Sequence, residues 1–294
     1  MKLENRIPDE GINATHENPL REFAWLLGGS IALLVIAVVV VSYSAQWLAP
    51  RIPYRYEARL ASGLELAAVP KAEPARAAQA ELQALADRLA ARMDLPPGMQ
   101  VRVGYRDERT VNAFATLGGQ TVFFRGLIGR LDSEDALAMV MAHELAHLKY
   151  RHPAAALGRG VAVGMLLSVI SADLGRSAAG GALGQAGLLT LLSFNRDQER
   201  AADAEALRVI AAEYGHIGGA LDLFAAFATL PGAQRDASLP AIEFLQTHPL
   251  TAQRTEAVKA WAAAHRVALD GPRRPLPPAL AAVRGQAVAP EVER

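Results

Sequence analysis

The sequence predicts a mainly helical α+β domain with a small β-meander, preceded by a single transmembrane helix. Three observations carry this expectation: an uncharged apolar run from Phe23 to Leu48, three strand-like segments crowded between 100 and 124, and helical spacing of apolar residues in most of the remainder. With 294 residues, 51% of them hydrophobic, the chain suffices for one catalytic-sized domain plus accessory segments. Thirty basic residues balance thirty acidic ones, so no net field favours nucleic acid, and none is expected as a partner. The absence of cysteine excludes disulfide frameworks, thiolate metal sites and cysteine nucleophiles. Any metal must be held by His, Asp or Glu.

Residues 1–22 are polar and interrupted by Pro8, Gly11 and Pro19, which reads as a flexible tail. Residues 23–48 have the length and composition of a membrane anchor, with Trp25 at one end and Tyr43 and Trp47 at the other, where interfacial aromatics sit. A cleaved signal would start nearer a basic terminus and have a shorter apolar core. The expectation is therefore a single-pass membrane protein in contact with the lipid bilayer. Arg51, Arg55 and Arg59 follow the span closely while Arg6 and Arg21 precede it, with Lys2 at the edge of the range that counts. That distribution tips the domain towards the cytoplasm by a small margin.

Residues 51–72 read as a linker and 73–265 as the main domain. Glu73–Met93 has amphipathic helical spacing and is closed by Pro96-Pro97-Gly98. Gln100–Tyr105, Thr110–Ala115 and Thr121–Phe124 are the strands of the expected meander. A helix should start at Asp132 or Ser133 and stop before Pro153. Gly160–Ala172 and Ser177–Phe194 are apolar but short or glycine-diluted, and read as buried or membrane-grazing helices, with a hairpin through the bilayer as the alternative. Helices over Arg196–Tyr214, Ile217–Leu230 and from beyond Pro249 to about His265 complete the domain. The proline-rich residues 271–294 read as a disordered tail.

His143-Glu144-Leu145-Ala146-His147 lies within the helix expected before Pro153. At 3.6 residues per turn, His143 and His147 share a face, so both imidazoles can reach one zinc ion. Glu144 lies beside that face, where its carboxylate can act as general base towards a metal-activated water. Downstream, Glu199-Arg200-Ala201-Ala202-Asp203 sets two carboxylates at i and i+4 with small residues between them. Glu199 suits a third metal ligand, and Asp203 suits the partner that accepts a ligating histidine's other ring N–H. The plainer reading of this stretch is a solvated charged face pairing with Arg196 and Arg200.

Four motifs resemble those of the HtpX-like and CAAX-prenyl-protease-like zinc metallopeptidases, the forty-eighth metallopeptidase family. They are His143–His147 followed by Arg151-His152; Arg196 with Glu199–Asp203; Asn112-Ala113-Phe114-Ala115 with Gly118-Gly119; and Thr247-His248-Pro249-Leu250 with Arg254. The resemblance implies a zincin-like domain in which His143, His147 and Glu199 hold one Zn2+ and Glu144 is the base. It implies that Asn112, Ala113, Phe114 and Ala115 edge the cleft, where an extended or unfolded polypeptide adds as a strand. For His248 it implies a catalytic role, either gating the zinc or stabilising the oxyanion, against the plainer reading of a residue leading into the helix after Pro249. Arg254 would pair with the acidic groups around zinc or simply sit on the last helix. Asn195 replaces a serine common in the family. The expected function is endoproteolysis in quality control of damaged membrane or envelope proteins. The alternatives are a membrane-anchored chaperone or scaffold with a silent zinc site, and a processing protease for one membrane partner.

Overall fold

The computed structural model describes residues 19–63, 66–160, 194–228, 244, 248 and 252–284. The expected helices over Gly160–Ala172 and Ser177–Phe194 lie outside these residues, except at their ends.

Helix α1, Pro19–Leu48, begins four residues before the expected span, because Pro19 suits the first helical position. Its most apolar window, of mean hydropathy 2.7, has none of its residues buried against the rest of the chain, and by length and composition it can cross a membrane. Within the expected linker lies a short helix, α2, Tyr54–Leu60, which buries Glu57 and leaves Arg55, Tyr56 and Leu60 outward.

Helix α3, Ala75–Ala90, buries Ala78, Leu82, Leu85, Ala86 and Leu89, a stripe at spacings of four and three. Two of its glutamines also reach the neighbouring strand: Gln79 and Gln83 accept hydrogen bonds from the backbone N–H of Tyr105 and Val103, at 3.2 and 2.8 Å. That strand, β1 (Arg102–Arg106), is an edge, and the amides cover it.

β2 is Ala113–Thr116 and β3 is Gln120–Phe124. The sheet order is β1-β3-β2, which corrects the expected meander. β3 pairs antiparallel with β2, Ala113 opposite Phe123, and parallel with β1, Val103 opposite Thr121. The reason lies in β3, all five residues of which are buried. A strand with no solvent edge needs a ladder on both sides to satisfy its backbone, so β1 joins its far edge instead of pairing with β2. The β2–β3 turn contains Gly118 and Gly119, both at φ 73. A Cβ at Gly119 would lie 2.4 Å from the carbonyl oxygen of Gln100, so the turn requires glycine for space as well as for backbone angle.

After the short α4, Arg125–Ile128, helix α5 runs Glu134–Lys149. Ser133 caps it by accepting the N–H of Ala136 at 3.2 Å, and every residue from Glu134 to Leu148 is buried. A helix buried all round is the core element of its domain, and α5 packs against α3, β2 and two later helices. Residues 152–160 form α6. Helix α7, Arg196–Tyr214, opens with a capping box in which Asn195 accepts from the N–H groups of Asp197 and Gln198, and closes at Gly215, φ 80. The asparagine that departs from the family pattern is thus a competent helix cap. α8, Gly218–Ala228, and α9, Ala252–His265, complete the packing around α5 and α7.

The expectation of a disordered tail from Gly271 fails over 271–284. Arg274 donates its backbone N–H to Asp135 at 2.8 Å and accepts that of Glu134 at 2.9 Å, strapping the proline-rich run over the start of α5. Helix α10, Pro278–Arg284, then buries Leu280 and Val283 against α3 and α4. The prolines hold the run extended long enough to deliver this apolar i,i+3 pair to the core.

Candidate metal centre

The helical repeat of α5 stacks His143 over His147, and their Nε2 atoms lie 3.0 Å apart. α7 packs against α5, with its small Ala202 buried, and the carboxylate of Glu199 approaches both rings. Its Oε1 is 3.3 Å from His147 Nε2 and its Oε2 is 3.5 Å from His143 Nε2. His248 joins them, with Nδ1 2.9 Å from Glu199 Oε1 and 3.2 Å from His143 Nε2. All four side chains are buried, and their ligand atoms lie within 4.8 Å of one another.

These spacings suit a metal. Ligand atoms on a tetrahedron with arms of about 2.0–2.1 Å are about 3.3 Å apart, and imidazole and carboxylate are ordinary zinc donors. The electrostatics also call for positive charge. Burial pushes His143 down, but the charges of Glu199 and Asp203 outweigh it and hold the ring raised to about 10. His147, buried and beside two other imidazoles, is pushed well down. Burial opposes ionisation of Glu199, yet His248 and His143 hold it far below the usual carboxylate range.

The other ring nitrogens are held too. Asp203 Oδ1 lies 3.0 Å from His143 Nδ1, one helical turn after Glu199. Arg254 clamps Asp203 with two hydrogen bonds, from Nε to Oδ2 at 2.8 Å and from NH2 to Oδ1 at 2.7 Å, and its NH1 lies 3.1 Å from Glu199 Oε2. Such outer contacts fix imidazole orientation. Glu144 is fully buried beside this cluster. It faces the backbone of Ala115 and lies 3.5 Å from His248 Nε2. Burial pushes its carboxyl up, with His248 and His143 acting in the opposite direction. Ala115 belongs to β2, an edge of the sheet packed beside α5. Asn112, Ala113 and Phe114 precede it, all buried, with Phe114 against Phe124. The structure therefore draws His143, Glu144, His147, Glu199, Asp203, His248 and Arg254 into one region, with the Asn112–Ala115 segment beside them.

Three contacts were not foreseen. His152 places its Nδ1 2.8 Å from Nδ1 of His147, Phe194 stacks on the His147 ring at 3.9 Å, and Phe244 lies 4.8 Å from His248. His152 stood beside Arg151 within a motif, but its position just past the end of α5 hid which way it turns. No local pattern marks the two phenylalanines.

Comparison with known proteins agrees with the geometry. The model of peptidase family M48 matches residues 76–262. The chain is 34% identical over 155 residues to the beta-barrel assembly-enhancing protease of Escherichia coli (strain K12), covering 49% of this chain and 31% of that protein. It is 32% identical over 154 residues to the protein of the same name from Yersinia pestis, covering 49% and 31%. To the mitochondrial metalloendopeptidase OMA1 of Schizosaccharomyces pombe it is 32% identical over 154 residues, covering 52% and 44%. The matched segment thus spans less than half the length of each of these relatives.

Proposed function

The chain belongs to peptidase family M48, and from that premise we propose that it is a membrane-anchored zinc endopeptidase acting on unfolded or damaged membrane and envelope proteins. The observation that carries this reading is the convergence of His143, His147 and Glu199 with Glu144 buried alongside. His143, His147 and Glu199 would hold the ion. A nitrogen-rich set with one carboxylate suits zinc better than magnesium or calcium, which favour all-oxygen sites. When bound, zinc would supply Lewis acidity, polarising a carbonyl and acidifying a water.

Glu144 takes the proton from the attacking water and later passes it to the leaving amine, roles that suit a carboxyl raised by burial. Asp203, itself held by Arg254, fixes the tautomer of His143. The strand edge at Asn112–Ala115 holds the substrate backbone extended next to Glu144. The catalytic domain takes in 73–265 together with the packed run 271–284, and the anchor is α1, whose length and apolar composition support it. The names of the relatives, a beta-barrel assembly-enhancing protease and a mitochondrial metalloendopeptidase, support cleavage of polypeptide substrates.

The position of His248 favours a second element of this reading. With Nδ1 among the donor atoms, it would fill the fourth coordination position in a resting state and leave it when substrate arrives. His248→Ala should then cleave peptides faster than the natural protein. A slower variant with unchanged zinc content would instead assign His248 to the transition state. The primary test is Glu144→Gln in the full chain with casein as substrate. Zinc stays bound and cleavage stops; undiminished cleavage would refute the mechanism and favour a non-catalytic scaffold.

A further inference from the structure

Glu57 lies on α2, ahead of the residues matched by the family model. It is 5% exposed, and burying a carboxylate is costly unless it is fully paired. Both of its oxygens are engaged. Oε1 accepts the backbone N–H of Gly118 at 2.9 Å, and Oε2 accepts Nε–H of Arg151. Arg151 is itself buried, and its NH1 donates to the carbonyl of Ile52 at 3.0 Å, so it grips the membrane-proximal segment at two points.

The two partners of Glu57 belong to different elements, the β2–β3 turn and the segment after α5. Gly118 is in the turn that joins β2 to β3, and the packing there is tight: a Cβ on Gly118 would lie 2.5 Å from that of Ala61, just past α2. Arg151 lies two residues past the end of α5 and holds φ 59, a left-handed conformation that costs energy for a residue other than glycine and persists where surroundings impose it. The next residue is His152, whose Nδ1 is 2.8 Å from that of His147. One carboxylate therefore links the edge strand, the exit of the metal-binding helix, and the histidine that backs His147.

We propose that Glu57 is a positioning residue for the peptidase reaction: through Gly118 and Arg151 it sets the spacing of strand and helix, and through His152 the orientation of His147. This rests on the zinc-endopeptidase reading above. A merely structural Glu57 would affect folding alone. A positioning one also affects the chemistry of molecules that do fold.

The test uses the full chain in detergent, comparing the natural protein with Glu57→Ala and Glu57→Gln. Three quantities are read on folded material: kcat and KM for a peptide, zinc retention against a graded chelator, and amide hydrogen exchange in segments containing Gly118 and His152. In Glu57→Ala we expect kcat per zinc-loaded molecule to fall about tenfold with KM changed little, and zinc affinity to weaken about 10- to 100-fold, as for other supports of ligating histidines. Exchange should rise at both segments. Glu57→Gln keeps the shape and an acceptor for Gly118 but loses the charge facing Arg151. It should show a smaller defect of the same kind, and it carries the test if the alanine variant does not fold. Natural kcat, zinc affinity and exchange in a folded variant would overturn the proposal, whatever happens to its melting temperature. Should Glu144→Gln remain fully active, the peptidase reading fails separately, while zinc retention and exchange still judge the role of Glu57.

Discussion

The two ends of α5 treat the same residue type in opposite ways. At its start, Glu134 receives Arg88 at 2.7 Å and the hydroxyl of Tyr214 at 3.0 Å, and Glu213 nearby receives Arg92 at 2.8 Å. Ten residues on, Glu144 faces imidazoles and a strand backbone, and neither of its oxygens meets a partner of full hydrogen-bond geometry among the described residues. Arg88 and the hydroxyl of Tyr214 occupy the first glutamate. The other is left in a dry site whose burial favours the protonated form. A carboxylate saturated by arginines has no further use for a proton, whereas one that can both take and release it can run general acid–base chemistry.

Parallel substitutions at the two ends would break or sharpen this contrast. The widest gap is expected in rate. Glu144→Gln should lower kcat by roughly 10²–10⁴ without lowering the melting temperature, since glutamine avoids the cost of a buried charge. Asp203→Asn should come next. It replaces the acceptor between Arg254 and His143 and should weaken zinc binding roughly 10- to 100-fold, read by chelator titration with the fold intact by circular dichroism. Glu134→Gln should have the smallest effect on function, costing about 1–2 kcal/mol of stability as charge-assisted bonds are lost, with kcat per folded molecule unchanged. A catalytic defect in Glu134→Gln, or a purely structural one in Glu144→Gln, would erase the distinction.

The juxtaposition at the candidate metal centre was largely legible because it rests on helical arithmetic. His143 and His147, like Glu199 and Asp203, are i,i+4 pairs on helices whose caps at Ser133 and Asn195 can be read locally. Contacts made across long separations were not legible. β1 finds its parallel partner beyond β2, and strand composition does not encode that choice. The proline-rich run after Gly271 looks solvated by composition, yet its backbone serves the first turn of α5. Glu57, 94 residues from Arg151, looked like one more charge in a linker.

Residues 49–53 separate α1 from α2, a stretch that reaches about 17 Å at full extension. Because Glu57 ties α2 to Gly118 and Arg151, the anchor proposed for α1 would work as a short leash. Bilayer neighbours would then meet the site at high local concentration, while proteins in bulk solution would meet it as dilute competitors. Selectivity could arise from where a polypeptide is as much as from its sequence, and lengthening the 49–53 segment should widen the set of proteins cut while leaving kcat on a small peptide unchanged.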